Sequence, residues 1–163
     1  MNIRPIDKEH DKKLLLALHC EVNYACDTSW ARELPYEEYK AKWMSTSQPE
    51  QFYSAMLETL DDPRTIAELA EDDDGRLIGY VWSTFADVPD YALTIAEIRD
   101  FYIAPDYRRE GYGMRLLAYV EDSVRRNGAN LLRSETGAEN AASRSLHRKY
   151  GFEEYRTCLE KRL

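Results

Sequence analysis

The chain has 163 residues, of which 44% are hydrophobic and 12% aromatic, and its formal net charge is −8. That length predicts one domain over residues 1–163, and the apolar content excludes a wholly disordered chain. No apolar run reaches membrane-spanning length, and the polar N-terminus lacks the apolar segment of a signal peptide. We therefore expect a soluble, cytoplasmic protein with no membrane partner.

The charge is unevenly distributed along the chain. Residues 1–104 contain 10 Lys and Arg against 21 Asp and Glu, a net charge of −11, whereas residues 105–163 contain 12 against 9, a net charge of +3. Because nucleic-acid binding needs a basic face, the acidic first part argues against a nucleic-acid partner. The mildly basic second part suits a phosphorylated ligand, and equally suits ordinary surface charge.

The cysteines and histidines show no pattern typical of a metal site or a disulfide framework. The three cysteines are widely spaced and form no CxxC pair, and the three histidines have no ligand spacing. We predict buried free thiols and no metal site. The residues concerned are Cys20, Cys26, Cys158, His10, His19 and His147.

The early part of the chain predicts a short strand and three helices. Residues 1–5 are the candidate strand, and Asp7 is a candidate cap for a helix whose apolar residues recur at helical spacing. Pro35 suits the first turn of the second helix. Residues 47–50 resemble a capping box for the third helix, which residues 61–63 end. One face of the second helix carries three aromatic residues that either bind a cation or pack in the core: Tyr36, Tyr39 and Trp43.

The middle of the chain changes to a pattern typical of strands. Residues 65–71 and 76–85 predict two strands joined by Asp74-Gly75, which is a strong hairpin signal. A loop at residues 86–91 then leads to a third strand at about residues 92–104.

The last part of the chain alternates helices and strands. We predict a helix at about residues 111–126, a strand at 130–134, a helix at about 140–150 and a further strand from Phe152. The whole order of elements predicts an α/β fold with a mixed sheet.

The loop between the third strand and the next helix reads Arg108-Arg109-Glu110-Gly111-Tyr112-Gly113. Glycines let an anion approach the backbone, and the helix that follows directs its first amides toward the same point, so the loop suits a pyrophosphate. It lacks the Gly-Lys-Ser/Thr of a Walker A loop and the three glycines of a dinucleotide loop. Two spaced glycines also suit a tight turn with close helix packing.

This loop resembles the acetyl-CoA loop of the GNAT superfamily of N-acetyltransferases, Arg/Gln-x-x-Gly-x-Gly/Ala, at Arg108, Gly111 and Gly113. Residues 96–103 look like the central strand of that family, and residues 140–152 are similar to its Asn-x-x-Ala/Ser…Gly-Phe segment. The three segments agree in order and spacing over about residues 96–152.

The resemblance implies a GNAT-like mixed sheet, largely antiparallel and flanked by helices. It also implies acetyl-CoA as the acyl donor, with an acetyl-CoA-binding core at about residues 96–152 and acceptor-recognition elements at about residues 1–95. By the same resemblance, acetyl-CoA contacts the loop, the end of the central strand and one asparagine. These residues are Arg108, Arg109, Glu110, Gly111, Tyr112, Gly113 and Met114 in the loop, Phe101, Tyr102 and Ile103 in the strand, and Asn140.

Acetyl transfer to an amine needs a base for the amine, a donor for the carbonyl oxygen and a proton for the departing thiolate. Glu97 is the candidate base, because its position resembles that of the catalytic glutamate in the histone acetyltransferase branch. The alternatives are an ion pair with a neighbouring arginine or an anchor for a cationic substrate. Asp100 is a second choice, although on a regular strand it faces the opposite side. A backbone amide of residues 101–103 is the candidate donor to the carbonyl oxygen.

His147 is the candidate proton donor, since it follows the asparagine by seven residues, where many family members carry a tyrosine. A histidine can donate a proton near neutral pH, and Asn140, Ser143 and His147 share one helix face. The alternatives are an imidazole without a catalytic role and a substitute role for Tyr150, which is also a candidate core residue.

The acidic first part and the aromatic helix face favour a cationic acceptor. We therefore predict an N-acetyltransferase that moves acetyl directly to a primary amine of a small cationic molecule. Two alternatives remain open, an acetyltransferase for protein lysine or N-terminal amines and a non-catalytic acetyl-CoA sensor. The presence of both Glu97 and His147 favours an enzyme. A homodimer is common in such folds, and the sequence does not decide it.

Overall fold

A computed structural model describes residues 1–26 and 30–163. Its five strands form one sheet in the order β1-β2-β3-β4-β5, and neighbouring strands are antiparallel except β4 and β5, which run parallel. The strands are β1 (Asn2–Pro5), β2 (Ile66–Glu71), β3 (Leu77–Val88), β4 (Leu93–Ile103) and β5 (Leu131–Ser134). The predicted mixed, largely antiparallel sheet is confirmed.

Helices cover both faces of this sheet. They are α1 (Lys12–Cys26), α2 (Tyr36–Met44), α3 (Gln48–Thr59), α4 (Tyr112–Arg126) and α5 (Ala141–Tyr150). The first three pack on one face around a first core cluster that includes Leu69 and Tyr80. The last two pack on the other face around a second core cluster that includes Ile98 and Leu117. Within the described ranges, no helix is long and apolar enough to cross a membrane.

Covering the sheet on both faces explains the composition of its central strands. Successive side chains of a strand point to opposite faces, and on β3 the buried Tyr80 lies in the first cluster whereas the buried Val81 lies in the second. A strand buried on both faces needs a continuous apolar run rather than alternation. The predominantly apolar run at residues 77–82 therefore reflects helices on both sides of β3.

Two predicted helix caps are wrong in detail. Asp7 Oδ1 accepts two backbone amides at 2.8 and 3.0 Å in a turn that precedes α1, and α1 itself begins at Lys12. Ser47 makes no side-chain capping bond at α3. Instead Thr46 Oγ1 accepts the backbone amide of Gln48 at 3.2 Å, so the hydroxyl one position earlier satisfies a free amide at that helix end.

The hairpin of β3 and β4 is longer than predicted, and the last predicted strand is wrong. Residues 86–88, expected in a loop, pair with residues 93–95, so the connection shrinks to one 3-10 turn at Pro89–Tyr91. Residues 152–163, all of them described, contain no strand and are mostly exposed. Their apolar residues are too few and too scattered to bury a face against the sheet.

The aromatic face of α2 packs in the core. Tyr39 and Trp43 are each 4% exposed, and Tyr36 packs against Tyr24 of α1 with ring centroids 5.2 Å apart. Of the two interpretations of this face, core packing is the one that the structure confirms. Tyr36 and Tyr39 both contact Tyr24 and so hold α2 against α1.

A β-bulge interrupts β4 at Arg99. Its neighbours Ile98 and Asp100 pair with consecutive residues of β3, so Arg99 has no partner on that strand. An extra residue of this kind bends the strand and reverses the alternation of side chains beyond it. The bulge lies next to the last residue of β4 that pairs with β5, and these two features together shape the site.

Candidate active site

β4 extends five residues beyond its pairing with β5. The parallel ladder runs from Ile95 with Leu131 to Ile98 with Ser134, and β4 then continues to Ile103. Within the described residues, the β5-facing edge of β4 has no strand partner from the bulge onward. We call the gap between residues 99–103 of β4 and the end of β5 the opening.

Alternate residues of β4 direct their backbone groups into the opening. The amide of Ala104 donates to the carbonyl of Ile78 on β3 at 2.9 Å, and residues two apart in an antiparallel ladder repeat that direction. The backbone N–H and C=O of Tyr102 therefore point to β3, whereas those of Phe101 and Ile103 point into the opening. Two of the three strand residues predicted to contact acetyl-CoA thus direct backbone groups away from β3, and of these groups the Ile103 carbonyl accepts from Arg108 Nε at 2.8 Å.

The loop before α4 presents a group of free backbone amides. The first helical bond runs from the Arg115 amide to the Gly111 carbonyl at 3.2 Å, so the amides of residues 111–114 precede the helical ladder, and α4 has no side-chain cap. Gly111 has φ 84° and Arg109 has φ 70°. Left-handed residues in such a loop turn neighbouring N–H groups toward one point, and a non-glycine residue there costs roughly 1 kcal/mol. The loop is suited to bind an anion.

The two loop arginines have different surroundings. Arg108 turns back, since its Nε donates to the Ile103 carbonyl at 2.8 Å and its Nη2 donates to Glu21 of α1 at 3.0 Å. Glu21 also accepts from the Tyr102 hydroxyl at 3.0 Å, and burial together with this carboxylate raises the pKa of Tyr102 to about 12. Arg109 is exposed and has no acceptor among the described residues. Arg108 thus ties the loop to β4 and α1, and Arg109 remains available to an anion.

Glu97 lies on β4 two residues before the bulge. Because Ala96 and Ile98 both lie in the second cluster, alternation places Glu97 on the α1 face of the sheet. Its side chain is 33% exposed, and its Oε2 accepts from Arg99 Nη1 at 2.9 Å. The predicted alternative of an ion pair with a neighbouring arginine is therefore present. Exposed pairs of this kind contribute only about 0–1 kcal/mol, so the carboxylate stays accessible to a substrate amine.

Asp100 lies on the same face as Glu97, and the expectation that it faces the opposite side is wrong because the strand is not regular. The bulge turns Asp100 toward α1, where its Oδ2 lies 2.8 Å from His19 Nδ1, while Phe101 packs on the other face. Asp100 is 2% exposed, and the His19 ring stacks on Phe52 with centroids 3.6 Å apart. This enclosure rules out direct contact between Asp100 and an acceptor amine.

His147 lies on α5 beside the opening and is buried. Its Nδ1 lies 2.8 Å from the Ser143 carbonyl and its Nε2 lies 2.8 Å from Ser134 Oγ. A carbonyl only accepts, so Nδ1 carries the hydrogen and, in the neutral ring, Nε2 accepts from the Ser134 hydroxyl. The ring packs edge-on against Phe101 and Phe152, with centroids 6.3 and 4.9 Å away. Both ring nitrogens therefore have partners within the protein.

Asn140 and Tyr150 also have defined partners. Asn140 caps α5, because its Oδ1 accepts the Ser143 amide at 3.1 Å, and its Nδ2 lies 3.8 Å from Cys26 Sγ. Sulfur is a weak acceptor, so the Asn140 amide hydrogens fit a stronger acceptor such as a pantetheine carbonyl. Tyr150 donates to Glu121 of α4 at 2.6 Å, and burial together with this bond raises the pKa of Tyr150 to about 12. Tyr150 thus points to α4.

Three polar residues at the site were not predicted from the sequence. Glu21 and His19 of α1 contact β4 residues that lie 81 positions later in the chain, and no local pattern signals such a contact. The sequence contained only a weak indication that Ser134 belongs to the site, namely a small polar residue at the end of a strand that leads into the segment beginning at Asn140. Its hydrogen bond with His147 depends on how α5 packs on β5.

Comparisons with known proteins agree with this architecture. The profile of the Acetyltransferase (GNAT) family matches residues 29–152. The chain is 31% identical over 121 residues to the uncharacterized N-acetyltransferase YhfO of Bacillus subtilis (strain 168), covering 73% of this chain and 77% of that protein. It is 33% identical over 122 residues to the aminoglycoside N(6')-acetyltransferase type 1 of Serratia marcescens, covering 70% and 80%. A shorter match, 36% identical over 62 residues, covers 38% of this chain and 42% of the ribosomal protein bS18-alanine N-acetyltransferase of Escherichia coli (strain K12).

Solved structures share the fold over the whole chain. A putative acetyl transferase from Pyrococcus furiosus superposes with a TM-score of 0.69 at 20% sequence identity, covering 99% of this chain and 100% of the other. A likeness at this level of identity shows the fold, and the chemistry has to be argued from the residues of the opening.

Proposed function

The chain belongs to the acetyltransferase (GNAT) family and is therefore an acyltransferase, and from this we propose that it transfers acetyl from acetyl-CoA directly to a primary amine of a small cationic molecule. The observation that carries the proposal is the free edge of β4 beside the free amides of residues 111–114. An extended arm containing amides pairs with such an edge, and free helix amides suit its pyrophosphate.

In this proposal acetyl-CoA supplies an activated acyl group, and the residues of the chain position it and move protons. The Phe101 amide, which points into the opening, donates to the thioester carbonyl oxygen as charge develops there. Glu97 takes a proton from the amine, directly or through water. The proton for the sulfur comes from the α5 side of the opening, where His147 lies. Asn140 and Arg109 hold the pantetheine arm and the phosphates.

The charge of the first part of the chain supports a cationic acceptor. Residues 1–104 carry a net charge of −11, and a field of that sign concentrates cations near the surface. A substrate ammonium group can replace Arg99 beside Glu97, since their exposed ion pair contributes only about 0–1 kcal/mol. The Serratia marcescens relative, which is named for aminoglycosides, matches 70% of this chain. Aminoglycosides are polycationic amines, and we propose this class of acceptor first.

A protein N-terminal amine is the second candidate acceptor. The relative named for alanine of ribosomal protein bS18 has 36% identity, which is higher than the other two values, but it matches only 38% of this chain. We rank this candidate second because the match is short.

The test of the proposed function is the release of CoA thiol from acetyl-CoA with a panel of amines. The panel contains aminoglycosides, polyamines, amino acids, lysine peptides and a peptide with N-terminal alanine. We expect turnover with a small polycationic amine, and turnover with the peptides alone would overturn the choice of acceptor class. Calorimetry with acetyl-CoA tests the two parts of the proposal separately. Binding of acetyl-CoA without turnover of any amine would support acetyl-CoA as the donor and refute the proposed classes of acceptor.

Gly111→Val should weaken acetyl-CoA binding about tenfold, which corresponds to about 1.4 kcal/mol. Gly111 has φ 84°, and a Cβ built there meets no protein atom within 4 Å. The new side chain therefore occupies open space beside the free amides, where it would obstruct the proposed pyrophosphate. Calorimetric titration with acetyl-CoA measures the effect.

Gly128→Val is the matched control for this prediction. Gly128 lies just beyond the other end of α4, has φ 86° and also has no atom within 4 Å of a built Cβ. Both variants place a β-branched residue in the left-handed region and should lose similar stability, but only Gly111→Val should lose affinity. Equal affinities of the two variants would refute the assignment of the loop to the pyrophosphate.

A further inference from the structure

Ser134 occupies the point where β5 separates from β4. It is the last residue of β5 and pairs with Ile98, the last residue of β4 before the bulge. Paired residues on neighbouring strands point to the same face, so Ser134 shares a face with Ile98, which lies in the second cluster with Phe101 packed against it. The side chain of Ser134 is therefore at the narrow end of the opening, on the α5 side.

Among the residues that the structure describes, Ser134 is the partner of His147 Nε2, whereas the carbonyl and hydroxyl of Ser143 are the partners of Nδ1. His147 Nδ1 is occupied by the Ser143 carbonyl at 2.8 Å, and Nε2 by Ser134 Oγ at 2.8 Å. Two aromatic rings, Phe101 and Phe152, pack edge-on against the imidazole, with ring centroids 6.3 and 4.9 Å away. Ser134 itself is only partly buried, whereas His147 is buried, so Ser134 is the more accessible residue of the pair.

We propose that the Ser134 hydroxyl, and not the His147 imidazole, donates the proton to the departing CoA sulfur, and that His147 replaces that proton. This inference rests on the proposed function and adds a catalytic residue to it. His147 becomes the residue that supplies and orients the proton, and Ser134 becomes the residue that contacts the sulfur.

The proton and electron balance of the step is complete within these residues. As the bond between carbon and sulfur breaks, its electron pair stays on the sulfur, which receives the Ser134 O–H proton. The Ser134 oxygen takes the Nε2 proton of the protonated His147 ring at the same time. The ring is left neutral with its hydrogen on Nδ1, which is the hydrogen-bonding arrangement found here. Solvent then returns one proton to His147 and removes the amine proton from Glu97.

A purely structural role for Ser134 makes a different prediction. If the hydroxyl only joined β5 to α5, its removal would lower the stability of the protein and leave the pKa of the bound CoA thiol unchanged. A hydroxyl that donates to the sulfur stabilises the thiolate and so lowers the pKa of the bound CoA thiol. The thiol of bound CoA is therefore a readout that separates the two roles without requiring turnover.

The experiment titrates the thiol of CoA bound to the full chain, followed by its ultraviolet thiolate absorbance. Ser134→Ala should raise the pKa of the bound thiol by about one unit. It should also lower the affinity for CoA but not for desulfo-CoA, which lacks the sulfur. Turnover should fall at least tenfold with an unchanged KM for acetyl-CoA, and Ser134→Thr should restore both the pKa and the turnover, since it keeps the hydroxyl.

Ser143→Ala is the matched control. The Ser143 hydroxyl lies 3.3 Å from His147 Nδ1, on the ring nitrogen opposite Ser134, and the substitution keeps the Ser143 carbonyl that fixes the ring. It should leave the thiol pKa at the wild-type value. An unchanged thiol pKa and unchanged turnover in Ser134→Ala would overturn the inference. A wild-type chain that binds no CoA would instead refute the proposed function, so the two failures are distinguishable.

Discussion

Glu97→Gln should lower turnover by about 10²–10⁴-fold, the range that one general base contributes, and leave acetyl-CoA affinity unchanged. Glutamine keeps the shape of the side chain and loses its ability to take a proton. The residues proposed to bind acetyl-CoA lie beyond the bulge in β4, in the loop and first turn of α4 and at the start of α5, whereas Glu97 lies before the bulge and has Arg99 as its side-chain partner. Steady-state release of CoA thiol and calorimetric binding measure the two quantities separately.

Arg99→Gln is the matched control, because it breaks the same 2.9 Å ion pair from the other side. If Glu97 is the base, freeing it from Arg99 should leave turnover close to that of the wild type. If the ion pair itself is the functional element, the two variants should lose activity equally. A third role, an anchor for the cationic substrate, would raise the KM for the amine and leave kcat unchanged. Unchanged turnover in Glu97→Gln would remove this residue from the chemistry.

The sequence predicts those features of this molecule that depend on local chemistry. The Asp74-Gly75 turn between β2 and β3 requires a positive φ, and Gly75 has φ 76°. The predicted anion loop lies between β4 and α4, with Gly111 in the left-handed region where glycine is favoured. Each of these features depends on only a few neighbouring residues, so it can be predicted from the sequence alone.

The bulge at Arg99 is the feature that the sequence analysis missed and that changed the site most. The bulge places Asp100 on the same face as Glu97, where this second-choice base is a buried partner of His19. The structure shows the bulge in the packing, since Ile98 and Phe101 are three residues apart and both face the second cluster. A regular strand places residues three apart on opposite faces, but β4 carries apolar residues on both faces, so the sequence alone did not show which of them share a face.

The remaining site residues depend on long-range packing. The contact of Glu21 with Arg108 depends on how α1 crosses the end of β4, and the contact of Ser134 with His147 depends on how α5 packs on β5. Helical period and strand alternation indicate which face of an element is buried, but not which polar side chain will meet another across an interface. His147 was identified from the resemblance to the family, whereas its hydrogen bond with Ser134 could be identified only from the folded structure.

His19→Ala should destabilise the chain by about 3 kcal/mol or more, because removing one member of a buried pair leaves the other charge uncompensated. The Asp100 carboxylate is 2% exposed, and the His19 ring also stacks on Phe52. For a chain of this size the melting temperature should fall by about 2–4 °C per kcal/mol. Thermal unfolding followed by circular dichroism measures the change.

The chain contains its own control for this prediction, an exposed pair with the same chemistry. His10 Nδ1 lies 2.9 Å from Asp7 Oδ2, with side chains 79% and 50% exposed, so His10→Ala should cost only about 0–1 kcal/mol. Adding Asp100→Asn to His19→Ala should recover stability, because it neutralises the stranded carboxylate, and such non-additivity is expected of residues in contact. Equal losses in His19→Ala and His10→Ala would contradict the prediction. In that case water would reach Asp100, and the link between α1 and the bulge would not hold β4 in place beside Glu97.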